Sequence, residues 1–320
     1  ERSRWRGDVY KRQDYIWGGT RLRDEYGKKC DYDKVAESWE LSCHKDGPSV
    51  VADGEYKGLT LNEYIEKAGK GVLGKNCERF ENFPILIKLI DAKDNLSVQV
   101  HPDNDYAMRV EGEYGKTEMW YVVDCDEGAT LLYGFKHEIT KEEFARRIAD
   151  NTLLEVTNAV PVKKGDVFFI KSGTLHAIGK GILIAEIQQN SNTTYRIYDY
   201  GRVGKDGKPR ELHVDKALDV TKLAPAEQYP ETPVEKKDGY DIKLLSKCEY
   251  FTTYRVNVET KAELDADENS FNSILVLEGE PVISGGETVS AKKGESVFIS
   301  AGTGKYTVEG KCTFVLTKID

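Results

Sequence analysis

Apolar and polar positions alternate with a period of two along most of this chain, in short runs. Ala36-Glu37-Ser38-Trp39-Glu40-Leu41-Ser42 alternates as a half-buried strand does, and Ile16-Trp17-Gly18-Gly19-Thr20-Arg21-Leu22 reads as an early strand with two glycines beside a tryptophan. Phe83-Pro84-Ile85-Leu86-Ile87-Lys88-Leu89-Ile90 is nearly continuous in apolar residues, the pattern of a strand covered on both faces, and one lysine is set inside it. Residues 96–100, 119–123, 165–170 and 181–187 have the same β character. Helical spacing is confined to a few places. Thr60 and Glu63 have capping-box spacing ahead of Leu61, Tyr64, Ile65 and Ala68, and Thr140 and Glu143 repeat it ahead of Phe144 and Ile148. Shorter helices are expected over 105–111 and 212–220.

The pattern also repeats at long range. Lys163-Lys164-Gly165-Asp166-Val167-Phe168-Phe169-Ile170 returns as Lys292-Lys293-Gly294-Glu295-Ser296-Val297-Phe298-Ile299, and both copies run on into a Gly-Thr pair. At that constant offset Lys305 takes the place of His176. Two related β-sandwich units are therefore expected, and short strands between Gly-rich turns at about 8 to 12 residue spacing give a mainly β fold of jelly rolls. Pro225, Pro230 and Pro233, with a charge run, mark 222–239 as a linker. Residues 1–13 show neither period and read as a tail or expression remnant. The division is then 14–221, with small helical insertions at about 60–70, 140–150 and 212–220, followed by the linker and a second unit over 240–320.

Composition narrows the partners. With 39% hydrophobic and 32% charged residues, 320 residues suffice for a substantial core. A net charge of -9 with the two signs mixed argues against a nucleic-acid partner, so any anion site must be local. No run of 18 apolar residues and no signal-peptide core is present, which leaves membrane insertion and secretion without support. The six cysteines never approach C-x-x-C spacing and suit a reducing cytoplasm.

The chemistry starts at Leu96-Ser97-Val98-Gln99-Val100-His101-Pro102-Asp103. Side chains two apart share a strand face, so Gln99 and His101 look into one cavity while Val98 and Val100 pack behind them. From these eight residues alone, a polar edge strand ending at Pro102 is the favoured reading. His176 closes Gly165-Asp166-(x)6-Gly173-Thr174-Leu175-His176, which resembles the second motif of the cupin superfamily, with Lys171 where proline often stands. With Glu118, these residues offer one amide oxygen, two imidazoles and one carboxylate. That set suits zinc with a position left for water or substrate, although Fe(II) or Mn(II) would use similar atoms.

Further blocks extend the resemblance. Trp17-Gly18-Gly19, Glu37-Ser38-Trp39-Glu40, residues 96–102, Gly115-Lys116-Thr117-Glu118-Met119-Trp120 and Thr194-Tyr195-Arg196-Ile197-Tyr198-Asp199-Tyr200 resemble, in order, type I phosphomannose isomerases of the short bacterial class. The resemblance runs from about Tyr15 to the C-terminus. It implies one zinc ion held by Gln99, His101, Glu118 and His176, sugar-phosphate contacts from Ser97, Lys116 and Arg196, and Lys88 near the metal. It also implies interconversion of mannose 6-phosphate and fructose 6-phosphate through an enediol(ate); separately, a monomer or weak homo-oligomer is expected. Arg196 is a candidate for steadying the enediolate as well as the phosphate. Lys88 and Glu186 both remain candidates for the proton-transferring base. A non-catalytic sugar-binding cupin and an Fe(II) cupin oxygenase are the competing readings. His44, His137 and His213 have no motif around them and read as surface or structural residues.

Overall fold

The longest apolar runs become strands covered on both faces. In the computed structural model, which describes residues 15–204 and 206–320 in full and 2–6 by their backbone, Ile85–Ala92 lies between Glu37–Leu41 and Ile182–Gln189. Glu118–Cys125 and Val167–Ile170 complete this five-stranded sheet. Every residue of Ile85–Ala92 and Ile182–Gln189 is buried. Alternation divides them: Ile87, Leu89, Ala185 and Ile187 enter one cluster, Ile90 and Ile184 another. A second five-stranded sheet faces the first, in the order Tyr195–Tyr198, Val98–Val100, His176–Ala177, Thr130–Phe135, Thr157–Pro161. On its outer side Val98, Val100 and Ile197 pack against Phe144, Ile148 and Ala217 from the helices Lys141–Ala149 and Val214–Val220.

The other side of the first sheet is covered by an eight-stranded sheet built mainly from residues beyond 233. Leu275, Leu277, Phe298 and Val315 join Ile87, Leu89 and Met119 in one apolar cluster, so the two jelly rolls share a core. A four-stranded sheet closes the far side over Ile274, Val276, Val297 and Phe314. The fold is mainly β. The repeat is visible in it, because Val167–Ile170 and Ser296–Ile299 occupy equivalent stretches of the two copies.

Local chemistry sets the helix ends. Thr60 and Glu63 form the full capping box of Leu61–Ala68. Thr140 caps Lys141–Ala149 from its side chain, but the Glu143 carboxylate turns to Arg147 at 2.8 Å instead of closing the box. The short helix expected near 105–111 is Asn104–Val110.

Several expectations need correction. Residues 16–22 form no strand: Gly18 makes a single bridge to Ala92, and Arg21–Asp24 is a helical turn whose first N–H, from Arg21, donates to Asp91 Oδ2 at 2.9 Å. A side chain at Gly18 would collide with Ala36, and one at Gly19 with Asp91, so the glycines serve close approach. Glu37–Leu41 is not half-solvated either. Ser38 and Glu40 are fully buried because the eight-stranded sheet lies over them. Of the expected linker, Ala224 and Leu223 accept from Phe135 N and Ile139 N, and Val234–Lys237 is a strand paired with Tyr240–Lys247. Of the expected tail, Arg2–Arg6 runs between Ser296–Ile299 and Val50–Val51, and residues 1 and 7–13 lie outside the described residues.

The seam between the jelly rolls holds a buried ion pair. Lys28 Nζ lies 2.7 Å from Glu40 Oε1 and donates to the Gly294 carbonyl at 2.6 Å, and Ser38 Oγ donates to Glu40 Oε1 at 2.6 Å. Removing one member of such a pair strands the other in an apolar setting. Glu40→Ala is expected to cost about 3–5 kcal/mol, read as a lowered urea midpoint at an unchanged slope.

Candidate active site

Two cross-strand rows face each other between the five-stranded sheets. On one sheet Trp39, Lys88, Glu186 and Trp120 lie side by side in register; on the other, Arg196, Gln99 and His176 do so. Straight-across neighbours share a face, so seven polar or aromatic side chains from seven strands converge on one space. His101, just past Val98–Val100, and Glu118, at the start of its strand, project into the same space.

The geometry at its centre calls for a cation. His176 Nδ1 lies 2.7 Å from the Thr174 carbonyl and His101 Nδ1 lies 3.0 Å from the Thr193 carbonyl. A carbonyl only accepts, so each Nδ1 carries the proton and each neutral ring presents its Nε2 lone pair. Those two Nε2 atoms are 3.1 Å apart, with Glu118 Oε1 3.3 Å from one and Oε2 3.7 Å from the other. Both Glu118 oxygens are buried without a hydrogen bond; Lys116 Nζ, 3.0 Å from Oε2, lies off hydrogen-bond geometry. Three donor groups with converging lone pairs, with the Lys116 ammonium 3.2 Å from His101 Nε2 beside them, fit a divalent metal ion.

Burial sets the protonation states. It pushes His176 down to about 4 and holds His101 well below the usual imidazole range, with Lys116 adding to the latter, so both rings are in ligand form at neutral pH. Without a metal ion, burial and the neighbouring Glu186 raise Glu118 to about 7. Burial opposes ionisation of Glu186, but the Lys116 and Lys88 ammoniums and the Trp120 N–H, 2.8 Å from Oε2, hold it below its ordinary value. Burial likewise opposes the charge on Lys116, yet Glu118 and Glu186 raise it. Lys88 Nζ sits 3.6 Å from Glu186 Oε1, 3.7 Å from Glu37 Oε2 and 4.8 Å from the centre of the Trp39 ring. Three carboxylates, Glu37, Glu118 and Glu186, thus face two ammoniums, and a dication turns this excess of one negative charge into one positive charge.

The remaining expected residues lie close by. Gln99 is half-buried beside His176, and Ser97 is buried one residue before the same strand. Arg196 is half-buried at the edge of the second sheet; its Nη1 donates to the Glu211 carbonyl and its buried Nε has no hydrogen-bond partner among the described residues. Glu37, Trp39 and Trp120 carried no assigned role in the sequence. Alternation could have found them, since Glu37 and Trp39 share a face, as do Glu118 and Trp120. His44 is buried, edge-on to Trp39, and 3.5 Å from Glu113, which makes it part of the packing beside the site. His213 Nδ1 accepts from Arg196 N at 3.1 Å. His137 is exposed.

Comparisons with known proteins identify the chain's family. The chain matches the family profiles for the phosphomannose isomerase type I catalytic domain over residues 9–128 and for the mannose-6-phosphate isomerase cupin domain over 241–319. It is 39% identical to the mannose-6-phosphate isomerase ManA of Bacillus subtilis over 96% of both chains. It is 40% identical to the mannose-6-phosphate isomerase of Streptococcus mutans, over 89% of this chain and 88% of that one. A crystal structure of mannose 6-phosphate isomerase from Bacillus subtilis superposes with a TM-score of 0.92 at 37% identity, covering 99% of each chain.

Outer partners of metal ligands alone are worth about 10–100-fold in affinity. His176→Ala and Glu118→Gln should therefore each weaken binding of a divalent ion by about 100-fold or more, measured by competition with a chromophoric chelator, while circular dichroism keeps its β signature.

Proposed function

Because the chain belongs to the type I phosphomannose isomerase family, we propose that it is a zinc-dependent mannose-6-phosphate isomerase. It interconverts mannose 6-phosphate and fructose 6-phosphate through an enediol(ate). The observation that carries the reading is the pair of converging Nε2 lone pairs beside a buried carboxylate whose only close charge partner among the described residues is the Lys116 ammonium, in a chain that matches such isomerases almost end to end. One zinc ion is held by His101, Glu118 and His176, with Gln99 as the fourth ligand. When bound, it supplies Lewis-acid stabilisation of negative charge on adjacent sugar oxygens.

The chain's own residues do the rest. Arg196, with an unused Nε donor, grips the dianionic phosphate together with Ser97. Lys116 stands where charge develops on the sugar oxygens, 3.2 Å from His101 Nε2. Glu186 is the better candidate for moving the proton from C2 to C1. It is ionised, its Oε2 is fixed by Trp120, and its Oε1 is buried without a hydrogen bond. Lys88 is engaged by Glu37, Glu186 and the Trp39 ring, and acts by orienting Glu186. Six unpaired cysteines support a reducing compartment, and no helix among the described residues is long and apolar enough to cross a membrane.

Purified protein should carry about one zinc ion per chain, and interconversion of the two hexose phosphates should vanish on chelation and return with zinc. Metal-free protein with full turnover would sink the zinc assignment; bound sugar phosphate without turnover would favour the binding protein instead. Arg196→Ala should keep its metal and lose about 100-fold in kcat/KM, the scale of one charge-assisted contact to a phosphate or oxyanion. Glu186→Gln should lower kcat by about 10²–10⁴-fold, the range for general acid–base catalysis, with metal content unchanged. Metal loss in either variant would give that residue a structural role.

A further inference from the structure

The segment following Tyr195–Tyr198 supplies no group to the chemistry above, yet it is bonded to Arg196 at three points. Arg196 N donates to His213 Nδ1, His213 N donates to the Arg196 carbonyl at 2.7 Å, and Arg196 Nη1 donates to the Glu211 carbonyl at 2.8 Å. Glu211 and His213 lie on the returning side of a hairpin that is bridged at Val203 and Pro209.

One carboxylate ties the base of that hairpin together. Asp199 Oδ1 accepts from Arg202 Nη2 at 2.6 Å and Arg210 Nη2 at 2.7 Å, and Oδ2 accepts from Arg210 Nε at 2.8 Å. The Asp199 side chain is 6% exposed, so these are shielded contacts, that of Arg210 bidentate, rather than surface ion pairs. Arg202 is anchored further, with Nη1 donating to the Asn95 carbonyl at 2.6 Å. The next residue, Tyr200, turns the chain with φ +58°, a conformation that is strained for a non-glycine residue and persists where its surroundings over-determine it. The turn is thus held in place by what Asp199 binds.

Charge makes the same connection. Burial and the Arg210 guanidinium both weaken the protonated state of Arg196, and Asp199 works in the opposite direction. With Asp199 neutral, Arg210 would be an uncompensated cation beside the arginine that grips the anion. The hairpin arm that brings the Glu211 carbonyl to Arg196 Nη1 would also lose its closing contact. Arg196 would then lack the one acceptor that leaves its buried Nε free for substrate.

We propose that Asp199 is a positioning residue for Arg196, clamping Arg202 and Arg210 so that the returning arm through Arg210 delivers Glu211 and orients the Arg196 guanidinium toward the substrate's phosphate. The inference rests on the reading of Arg196 as a substrate-binding residue. Asp199 itself touches no reacting atom.

The test uses full-length, zinc-loaded protein. Asp199→Asn should lower kcat/KM for mannose 6-phosphate about tenfold, mostly through KM, and weaken inhibition by inorganic phosphate in parallel, while zinc content and the β circular-dichroism signature stay near wild type. Asp199→Glu should restore most of the loss. In an Arg196→Met background, adding Asp199→Asn should change kcat/KM less than twofold, because its effect passes through Arg196. Wild-type kinetics in Asp199→Asn alongside an impaired Arg196→Met would overturn the inference while leaving the role of Arg196 standing. A full additional loss in the Arg196→Met background would overturn it too, by showing that Asp199 acts elsewhere. Unimpaired Arg196→Met would remove the reading of Arg196 and this inference with it.

Discussion

Two imidazole nitrogens that both offer lone pairs cannot rest 3.1 Å apart in a dry interior without a positive charge between or beside them. Much of the catalytic jelly roll follows from keeping that unfavourable approach in place. Each ring is pinned from behind by a backbone carbonyl, of Thr174 and Thr193, which fixes the tautomer and the direction of the lone pair at once. Glu118 arrives from the opposite sheet with both oxygens lacking hydrogen bonds, and Lys116 supplies part of the missing charge. Such a cluster is expensive in isolation and coherent around a dication, the arrangement expected of a site organised before its metal arrives.

Holding it requires sheets that do not yield. The sheet carrying Lys88, Glu118 and Glu186 is buried on both faces, one around the site and one against the eight-stranded sheet of the second jelly roll. Its strands therefore cannot slip by one residue without turning Ile87, Leu89 and Ala185 toward charged groups and Glu186 into the apolar seam. The Lys28–Glu40 pair adds a polar register mark inside that seam. Rigidity at the seam passes directly to the row of side chains on the other face, because they sit on the same strands.

The parts of this arrangement visible in the sequence are those that depend on local periodicity. Gln99 and His101 share a face through period two, with Val98 and Val100 packed behind as alternation requires. His176 was found through a turn of fixed spacing, and the continuous apolar run around Lys88 announced a strand covered twice. Register was not visible. Nothing local says that Lys88 pairs with Glu186, or that Arg196 stands beside Gln99; those neighbours are set by strand order across gaps of about a hundred residues. The same blindness explains Ser38 and Glu40, whose alternation promised a solvated face that another domain covers, and 16–22, where glycines permit close backbone approach instead of a strand. Asp199 was hidden for a related reason, since its partners matter only once the hairpin has closed.

The second jelly roll shows what the first gives up to hold a site. The repeat places Lys305 where His176 stands, yet Lys305 is exposed and it is Tyr306 that points inward, among Ile274, Val276, Val297 and Phe314. Its hydroxyl is satisfied by the Asn272 side chain at 2.9 Å, so the space that holds charge in one unit holds an aromatic ring and one hydrogen bond in the other. Aliphatic and aromatic packing contributes stability where buried, partly unpaired charge costs it. The two copies therefore divide the work along physical lines. The second fills its interior and braces the shared sheet, and the first keeps between its sheets a polar space that a free-standing sandwich could hold less well.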